Sequence, residues 1–279
     1  MRRRILKAFL PLLFVWIICI GLTACNSNSK STTSEDTGTK EQDVGDDTKN
    51  QIDRYNKIID RSNDEGRFSI YYLDLPTIES SDEKSGDSSL LISPDGKVML
   101  IDTGLSECAP RIISYLEELG IDKIDYFVAS HPHIDHIGGF FAIADQFEIG
   151  KIYRNEVEYT TNTYKKFAKE LEHRNIPVEY LEEGDELTFG NEIQVKIYNP
   201  PPEIEYPEDF PDNSTQFIND SSIVMKFTYG ESTVLFAGDI YITKERDLIK
   251  AYGEELQADV VKANHHGADT SNSNRWIKN

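Results

Sequence analysis

From position 131 to 139 the sequence reads His-Pro-His-Ile-Asp-His-Ile-Gly-Gly. Three of the chain's six histidines fall in this stretch, directly after the apolar run Tyr126–Ala129. Histidines two residues apart, His131 and His133, can close on one metal ion from a tight loop. The adjacent Asp135-His136 pair can turn toward a second ion a few ångströms away. Two such ions activate water and clamp both oxygens of a displacement, so the chemistry implied is hydrolysis.

Three further segments share the same setting, a polar group where an apolar run stops. Ile101-Asp102-Thr103-Gly104 follows Val98–Ile101, and a carboxylate there can orient the histidine loop through hydrogen bonds. Ala237-Gly238-Asp239 follows Thr233–Phe236, and its aspartate could bridge two metals. Asn264-His265-His266-Gly267 follows Ala258–Ala263. Five of the six histidines lie in these segments; the sixth, His173, sits near the exposed end of an amphipathic helix.

The elements that must carry these groups alternate between strands and helices. Phe68–Leu73 reads as a strand, and Ser89–Ser93 with Val98–Ile101 as a hairpin across Pro94-Asp95-Gly96-Lys97. Ile112, Ile113, Leu116 and Leu119 fall at helical spacing before Gly120, and Tyr164, Phe167, Ala168 and Leu171 mark a second amphipathic helix. Ile193–Tyr198, Ser222–Tyr229 and Thr233–Phe236 are strands, and Thr243–Ala251 is a helix. The Pro- and aromatic-rich stretch Asn199–Asn219 reads as a long loop, placed either along a substrate groove or over a sheet edge.

Taken in order, Asp102-Thr-Gly, His-x-His-x-Asp-His-x-Gly-Gly, Gly-Asp239 and His-His-Gly resemble the metallo-β-lactamase-fold hydrolases. More narrowly, the chain is similar to the hydrolase domain of ComEC-type competence proteins and their stand-alone relatives, including phosphorylcholine esterases. The likeness runs from about Phe68 to Ser273. It is supported by Gly86-Asp87-Ser88-Ser89-Leu90, Ser93-Pro94-Asp95-Gly96, Leu119–Tyr126 and Asn219-Asp220-Ser221-Ser222. The resemblance implies an α/β (α+β) four-layer αββα sandwich with the site at one edge of two sheets. It implies two divalent ions, zinc or manganese, the first on His131 and His133, the second on Asp135 and His136, with Asp239 bridging. His265 is the expected last ligand and His266 a phosphate contact or acid, with the reverse assignment open. Asp135, the usual partner of a hydroxide bridging the ions, and His266 would be the catalytic groups.

Two departures narrow the activity. β-Lactamases and glyoxalases of this fold carry another histidine where this chain has Asn219-Asp220-Ser221-Ser222, which counts against β-lactam and thioester hydrolysis. Relatives also continue beyond the His-His-Gly loop, whereas this chain stops at Asn279, so the second sheet is expected to be truncated at its C-terminal edge. Gly86-Asp87-Ser88 superficially matches a GDSL serine esterase, but an extra Ser precedes Leu90 and no matching Asp-x-x-His follows.

The N-terminus carries an address. Arg2, Arg3, Arg4 and Lys7 precede the uncharged run Ala8–Ala24, and Leu22-Thr23-Ala24-Cys25 resembles a bacterial lipobox. Residues 1–25 are thus expected to be a lipoprotein signal peptide, with Cys25 lipidated on the extracellular face of the cell membrane. Residues 26–66 read as a disordered polar tether, and 67–279 as the hydrolase domain. Cys19 leaves with the leader and Cys25 takes lipid, so Cys108 has no disulfide partner and reads as a small buried apolar residue. Without the leader's basic residues, 25 Lys and Arg face 49 Asp and Glu, a formal charge of −24. Such a surface repels the backbone of bulk nucleic acid and anionic lipid.

The leading expectation is a cell-surface phosphodiesterase acting on a phosphoester of nucleic acid or of the envelope. The ComEC likeness favours the first substrate and the charge favours the second. The alternatives are lactone, ester or thioester hydrolysis by the same fold, and a non-catalytic metal-containing binding lipoprotein. No segment marks a protein partner.

Overall fold

The computed structural model describes residues 60–84 and 86–278. The expected leader, Cys25 and most of the expected tether lie outside the described residues. Residues 60–66, expected in the tether, belong to the folded domain. Asp64 is buried, Tyr71 donates its hydroxyl to Asp64 at 2.8 Å, and Arg61 donates to the Leu119 carbonyl at 3.1 Å. The domain therefore reaches back at least to Asp60.

Two sheets face each other. The first comprises β1 (Ser69–Tyr72), β2 (Ser89–Ile92), β3 (Val98–Ile101), β4 (Lys123–Ala129), β5 (Glu148–Arg154) and β6 (Val178–Tyr180), side by side in chain order. β1 to β3 pair antiparallel, and β3 to β6 pair parallel. The second comprises β7 (Glu186–Phe189), β8 (Ile193–Asn199), β9 (Val224–Tyr229), β10 (Ser232–Phe236) and β11 (Val260–Val261), in the order β11-β10-β9-β8-β7. All its pairings are antiparallel except β10 with β11.

Strand periodicity explains the layers. Side chains alternate across a strand, so a strand covered on both faces reads as a continuous apolar run. In β2 and β3 every residue is buried. Leu90, Ile92, Val98 and Leu100 point outward to α1 (Ala109–Glu118), α3 (Phe140–Gln146) and α4 (Asn162–Arg174), meeting Ile112, Leu116, Phe140 and Phe167. Leu91, Met99 and Ile101 point inward and meet Phe189, Val195, Met225, Phe227 and Phe236 of the second sheet. On that sheet's outer face Tyr198, Val224 and Leu235 pack against Leu248 and Ile249 of α6 (Ile242–Tyr252) and Trp276 of α7 (Asn274–Lys278). The result is the expected αββα sandwich.

Some elements depart from expectation. The last strand is two residues, not the six of Ala258–Ala263, and it forms the edge of the second sheet with Val260 exposed. The loop Asn199–Asn219 ends in a short helix, α5 (Thr215–Asp220). β5, β6, β7 and α3 were not evident from the sequence pattern. Cys108 is fully buried, as its surroundings suggested. Among the described residues no helix is long and apolar enough to cross a membrane.

Candidate metal centre

All four segments leave their strands at the same edge of the sandwich. After β3, Asp102 takes a left-handed backbone (φ 60°) and turns its carboxylate to the end of β4. One oxygen accepts the Ser130 amide at 2.8 Å; the other accepts the Ser130 hydroxyl at 2.7 Å and lies 2.8 Å from Nδ1 of His136. Asp102 thereby holds Nδ1 of His136, leaving Nε2 to face Asp239.

The histidine loop continues into the single-turn helix α2 (Ile134–Ile137), which buries Asp135 and His136. Its approach to neighbouring backbone leaves no room for side chains. A Cβ on Gly139 would sit 2.2 Å from the Thr103 carbonyl, and one on Gly86 would sit 1.8 Å from the Asp135 carbonyl. Glycine is required at both places because backbone, not a movable side chain, fills the space.

From the second sheet, Gly238 delivers Asp239, whose amide donates to Ser222 Oγ at 3.0 Å. Beyond β11 the Asn264 side chain is buried and donates to Glu245 at 3.0 Å, anchoring the His-His-Gly loop. His265 and His266 both adopt left-handed backbone, φ 49° and 52°.

The donor atoms of Asp135, His136, Asp239 and His266 all lie within 4.8 Å of one another. Nε2 of His136 is 3.1 Å from Asp239 Oδ2 and 3.5 Å from Asp135 Oδ2. Nε2 of His266 is 3.1 Å from Asp135 Oδ2 and 3.2 Å from Asp239 Oδ2. Alongside, His131 Nε2 is 3.0 Å from His133 Nδ1 and 3.9 Å from Asp239 Oδ2. Of the expected donors the structure thus brings together His131, His133, Asp135, His136, Asp239 and His266.

His265 stands apart, contrary to its expected place as last ligand. Its Nδ1 is 2.7 Å from Thr270 Oγ1, and its ring stacks on Tyr241 with centroids 5.1 Å apart. Of the two rings, one reaches the carboxylates within hydrogen-bonding distance. That ring is His266.

The charges within this group are polarised by their neighbours. Burial depresses the basicity of His131 well below normal and brings His133 to about 4, so both are neutral at pH 7. Burial also opposes charge on His136, but Asp239, Asp135 and Asp102 together hold it well above the usual histidine range. His266 is likewise pushed up to about 11 against its own burial, by Asp135, Asp239 and Asp87. Burial would raise Asp135 and Asp239; the adjacent imidazolium of His136 instead keeps both well below ordinary carboxylates.

This donor set fits divalent ions. It is all nitrogen and oxygen, as zinc or manganese accepts. Asp239 Oδ1 is buried without a hydrogen-bond partner, an arrangement that costs free energy unless a cation meets the oxygen. The buried Asn219 side chain hydrogen-bonds His133, from the segment that replaces the extra histidine of other branches. Ser222, from that same segment, places Oγ 3.3 Å from His131 Nδ1.

The long loop between β8 and β9 borders this centre. Tyr159 packs its ring 5.6 Å from His133, and Phe210, Tyr206 and Phe217 continue the series at centroid separations of 6.4, 4.8 and 5.4 Å. Tyr159, Tyr164, Tyr206 and Phe210 help to line a groove of ≈ 610 Å³. Among the described residues Tyr159 alone links this groove to the centre, through its ring contact with His133.

Sequence reasoning missed Lys262, Ser130 and Tyr159, and used Asp87 only as a supporting motif. All lie beside ligand-type residues in space but far from them, or unmarked, along the chain. Gly86-Asp87-Ser88 was the available signal for Asp87.

A family model for the metallo-beta-lactamase superfamily matches residues 83–278. The competence protein ComA of Neisseria gonorrhoeae is 26% identical over 190 residues, 68% of this chain and 23% of that protein. ComE operon protein 3 of Bacillus subtilis is 22% identical over 167 residues, 60% of this chain and 20% of that protein. Exodeoxyribonuclease YycJ of Bacillus anthracis is 29% identical over 119 residues, 41% of each chain. This chain spans under a quarter of the length of either competence protein. With the matching order of motifs and the αββα sandwich that carries them, the chain belongs to the metallo-beta-lactamase superfamily, and its clustered histidines and aspartates could hold metal.

Proposed function

We propose that the protein is a two-metal phosphodiesterase held at the outer face of the cell membrane by lipid on Cys25. The observation that carries the activity is the convergence of Asp135, His136, Asp239 and His266 beside the His131–His133 pair, with a buried oxygen of Asp239 left without a protein partner. His131 and His133 are the ligands assigned to one ion, and Asp135, His136 and His266 to the other. Asp239 reaches histidines of both groups. Bound there, two divalent ions supply an activated water at neutral pH and offset charge on the phosphoryl oxygens.

The protein's own contribution is geometric. Asp102 fixes the His136 ring through Nδ1, and Ser222 holds the Asp239 backbone in place. Asp135 is buried and kept ionised by His136, so it presents an anionic oxygen donor at Oδ2 while its backbone stays clamped under Gly86. The groove beside Tyr159 gives the substrate an apolar wall next to His133. Support for a phosphodiester comes from the absence of the additional histidine at 219–222 and from the likeness to a protein named as an exodeoxyribonuclease. The acidic composition favours a small or envelope-bound phosphoester over bulk nucleic acid.

Hydrolysis of bis(p-nitrophenyl) phosphate by purified residues 26–279, with zinc or manganese, tests the activity. Turnover that disappears in Asp135→Ala is the expected result. A folded, metal-loaded protein that cleaves chromogenic esters but not the phosphodiester would overturn it. Labelled palmitate incorporation, lost in Cys25→Ala, tests the anchor; a soluble, unlabelled wild type would refute it.

A further inference from the structure

The His-His-Gly loop holds a conformation its residues do not favour alone. His265, His266 and Gly267 have φ of 49°, 52° and 82°, three consecutive left-handed residues in a region that glycine enters freely and other residues uncommonly. Something outside the loop must hold His266 with Nε2 toward Asp135 and Asp239.

The other ring nitrogen supplies the answer. Nδ1 of His266 lies 3.3 Å from Asp87 Oδ1, and the second oxygen of Asp87 pairs with Nζ of Lys262. Both partners are themselves fixed. The Asp87 amide donates to the Asp135 carbonyl at 3.3 Å, and its carbonyl accepts Gly104 N–H at 2.9 Å. The Lys262 amide donates to the Leu235 carbonyl at 3.0 Å, extending the β10–β11 pairing. Asp87 leads into β2 of the first sheet, whereas Lys262 follows β11 of the second. The pair therefore spans the mouth of the sandwich and meets the His266 ring, which lies between Asp135 and Asp239 as the His136 ring does.

We infer that Asp87, clamped by Lys262, is the positioning residue that turns His266 into a metal ligand and keeps His265 out of the site. A ligating histidine commonly has its second nitrogen held by a carboxylate, and loss of that partner costs about 10–100-fold in metal affinity. Here the holding carboxylate is itself locked by a lysine from the opposite sheet, so the ligand is set only when the two sheets are in register at this edge. The inference rests on the reading of His266 as a ligand of the second ion.

The test is a titration of the full chain, purified in detergent, with Zn²⁺ against a chromophoric chelator, and with Co²⁺ followed by its visible ligand-field bands. Wild type should take up two ions. Asp87→Ala should weaken the second by about 10–100-fold and change the Co²⁺ bands of that ion while leaving the first unchanged. Asp87→Asn keeps an oxygen facing Nδ1 and should recover most of the affinity, and Lys262→Met should lose part of it. Two ions bound by wild type and equally tightly by folded Asp87→Ala would overturn the inference alone, as would equal weakening of both ions. A wild type that binds no ion would overturn the site reading and this inference with it. If Asp87→Ala does not fold, Lys262→Met decides: a second-ion affinity equal to wild type overturns the clamp.

Discussion

At one end of the centre His131 and His133 face each other 3.0 Å apart, and His131 approaches Asp239 only to 3.9 Å. At the other, His136 lies 2.8, 3.1 and 3.5 Å from Asp102, Asp239 and Asp135, and His266 lies 3.1, 3.2 and 3.3 Å from Asp135, Asp239 and Asp87. The residue types are the same and the surroundings are not. Burial without close carboxylates leaves the first pair neutral, whereas carboxylates outweigh burial at the second and keep both rings protonated without metal. One end is ready to donate lone pairs; the other must first release protons. Two ions held a few ångströms apart would thus be bound on different terms.

Asp239 joins these ends, since its Oδ2 lies within 4.0 Å of His131, His136 and His266. Asp239→Asn should therefore have the largest effect. Both ions should bind more than about 100-fold more weakly, beyond the loss typical of outer hydrogen-bond partners. Metal content after dialysis would show it. Loss of a single ion would mean that the two ends are independent sites.

Asp102→Ala should come next and act unequally. It removes the partner of His136 Nδ1 and leaves the buried Ser130 amide without an acceptor, a defect worth about 1–3 kcal/mol in stability. The second ion should lose about 10–100-fold. The first should lose less, because Ser130 reaches His131 Nδ1 only through its hydroxyl, at 3.1 Å. Titration with Zn²⁺ resolves the two steps, and equal losses would erase the asymmetry.

How much of this was legible follows from distance along the chain. Asp102, the histidine loop, Asp239 and the His-His-Gly segment each end an apolar run, and chemistry at a strand end needs no long-range information. The doubly buried strands β2 and β3 show the same clarity. By contrast β6 is three residues long, and β7, although Glu186-Leu187-Thr188-Phe189 alternates, is an edge strand of only four residues, too short a pattern to stand out. The choice between His265 and His266 depends on backbone angles that neighbouring side chains do not announce. Asp87 and Lys262 are 175 positions apart, so their pairing exists only once both sheets have formed.

The difference in proton content gives a pH signature. Raising the pH from 6 to 8 should tighten the second ion by up to about tenfold per unit for each proton displaced, while the first stays nearly flat above pH 5. Metal-free stability should fall on both sides of about pH 6.5. His266, raised to about 11, contributes stability below its unfolded value that is lost as pH rises toward 11. His133, lowered to about 4, penalises folding as pH falls from 6.5 toward 4. Denaturant melts of chelated protein across this range check the sign; stability rising steadily to pH 9 would contradict the protonated second end.

The smallest expected effect isolates the first end. Tyr159 touches the centre only through the edge-on contact of its ring with His133, 5.6 Å between centroids, and no carboxylate is involved. Aromatic pairs of this geometry contribute about 0.5–1.5 kcal/mol beyond the area they bury, equivalent to about two- to tenfold in a binding constant. Tyr159→Leu keeps most of the apolar volume, so the first ion should weaken within that range while the second and its pH dependence stay as in wild type. Because the same ring walls the groove, substrate KM should rise with it. A variant that weakens the second ion instead would show that the groove couples to the carboxylate-rich end, and the division between the two ends would have to be redrawn around Asp239.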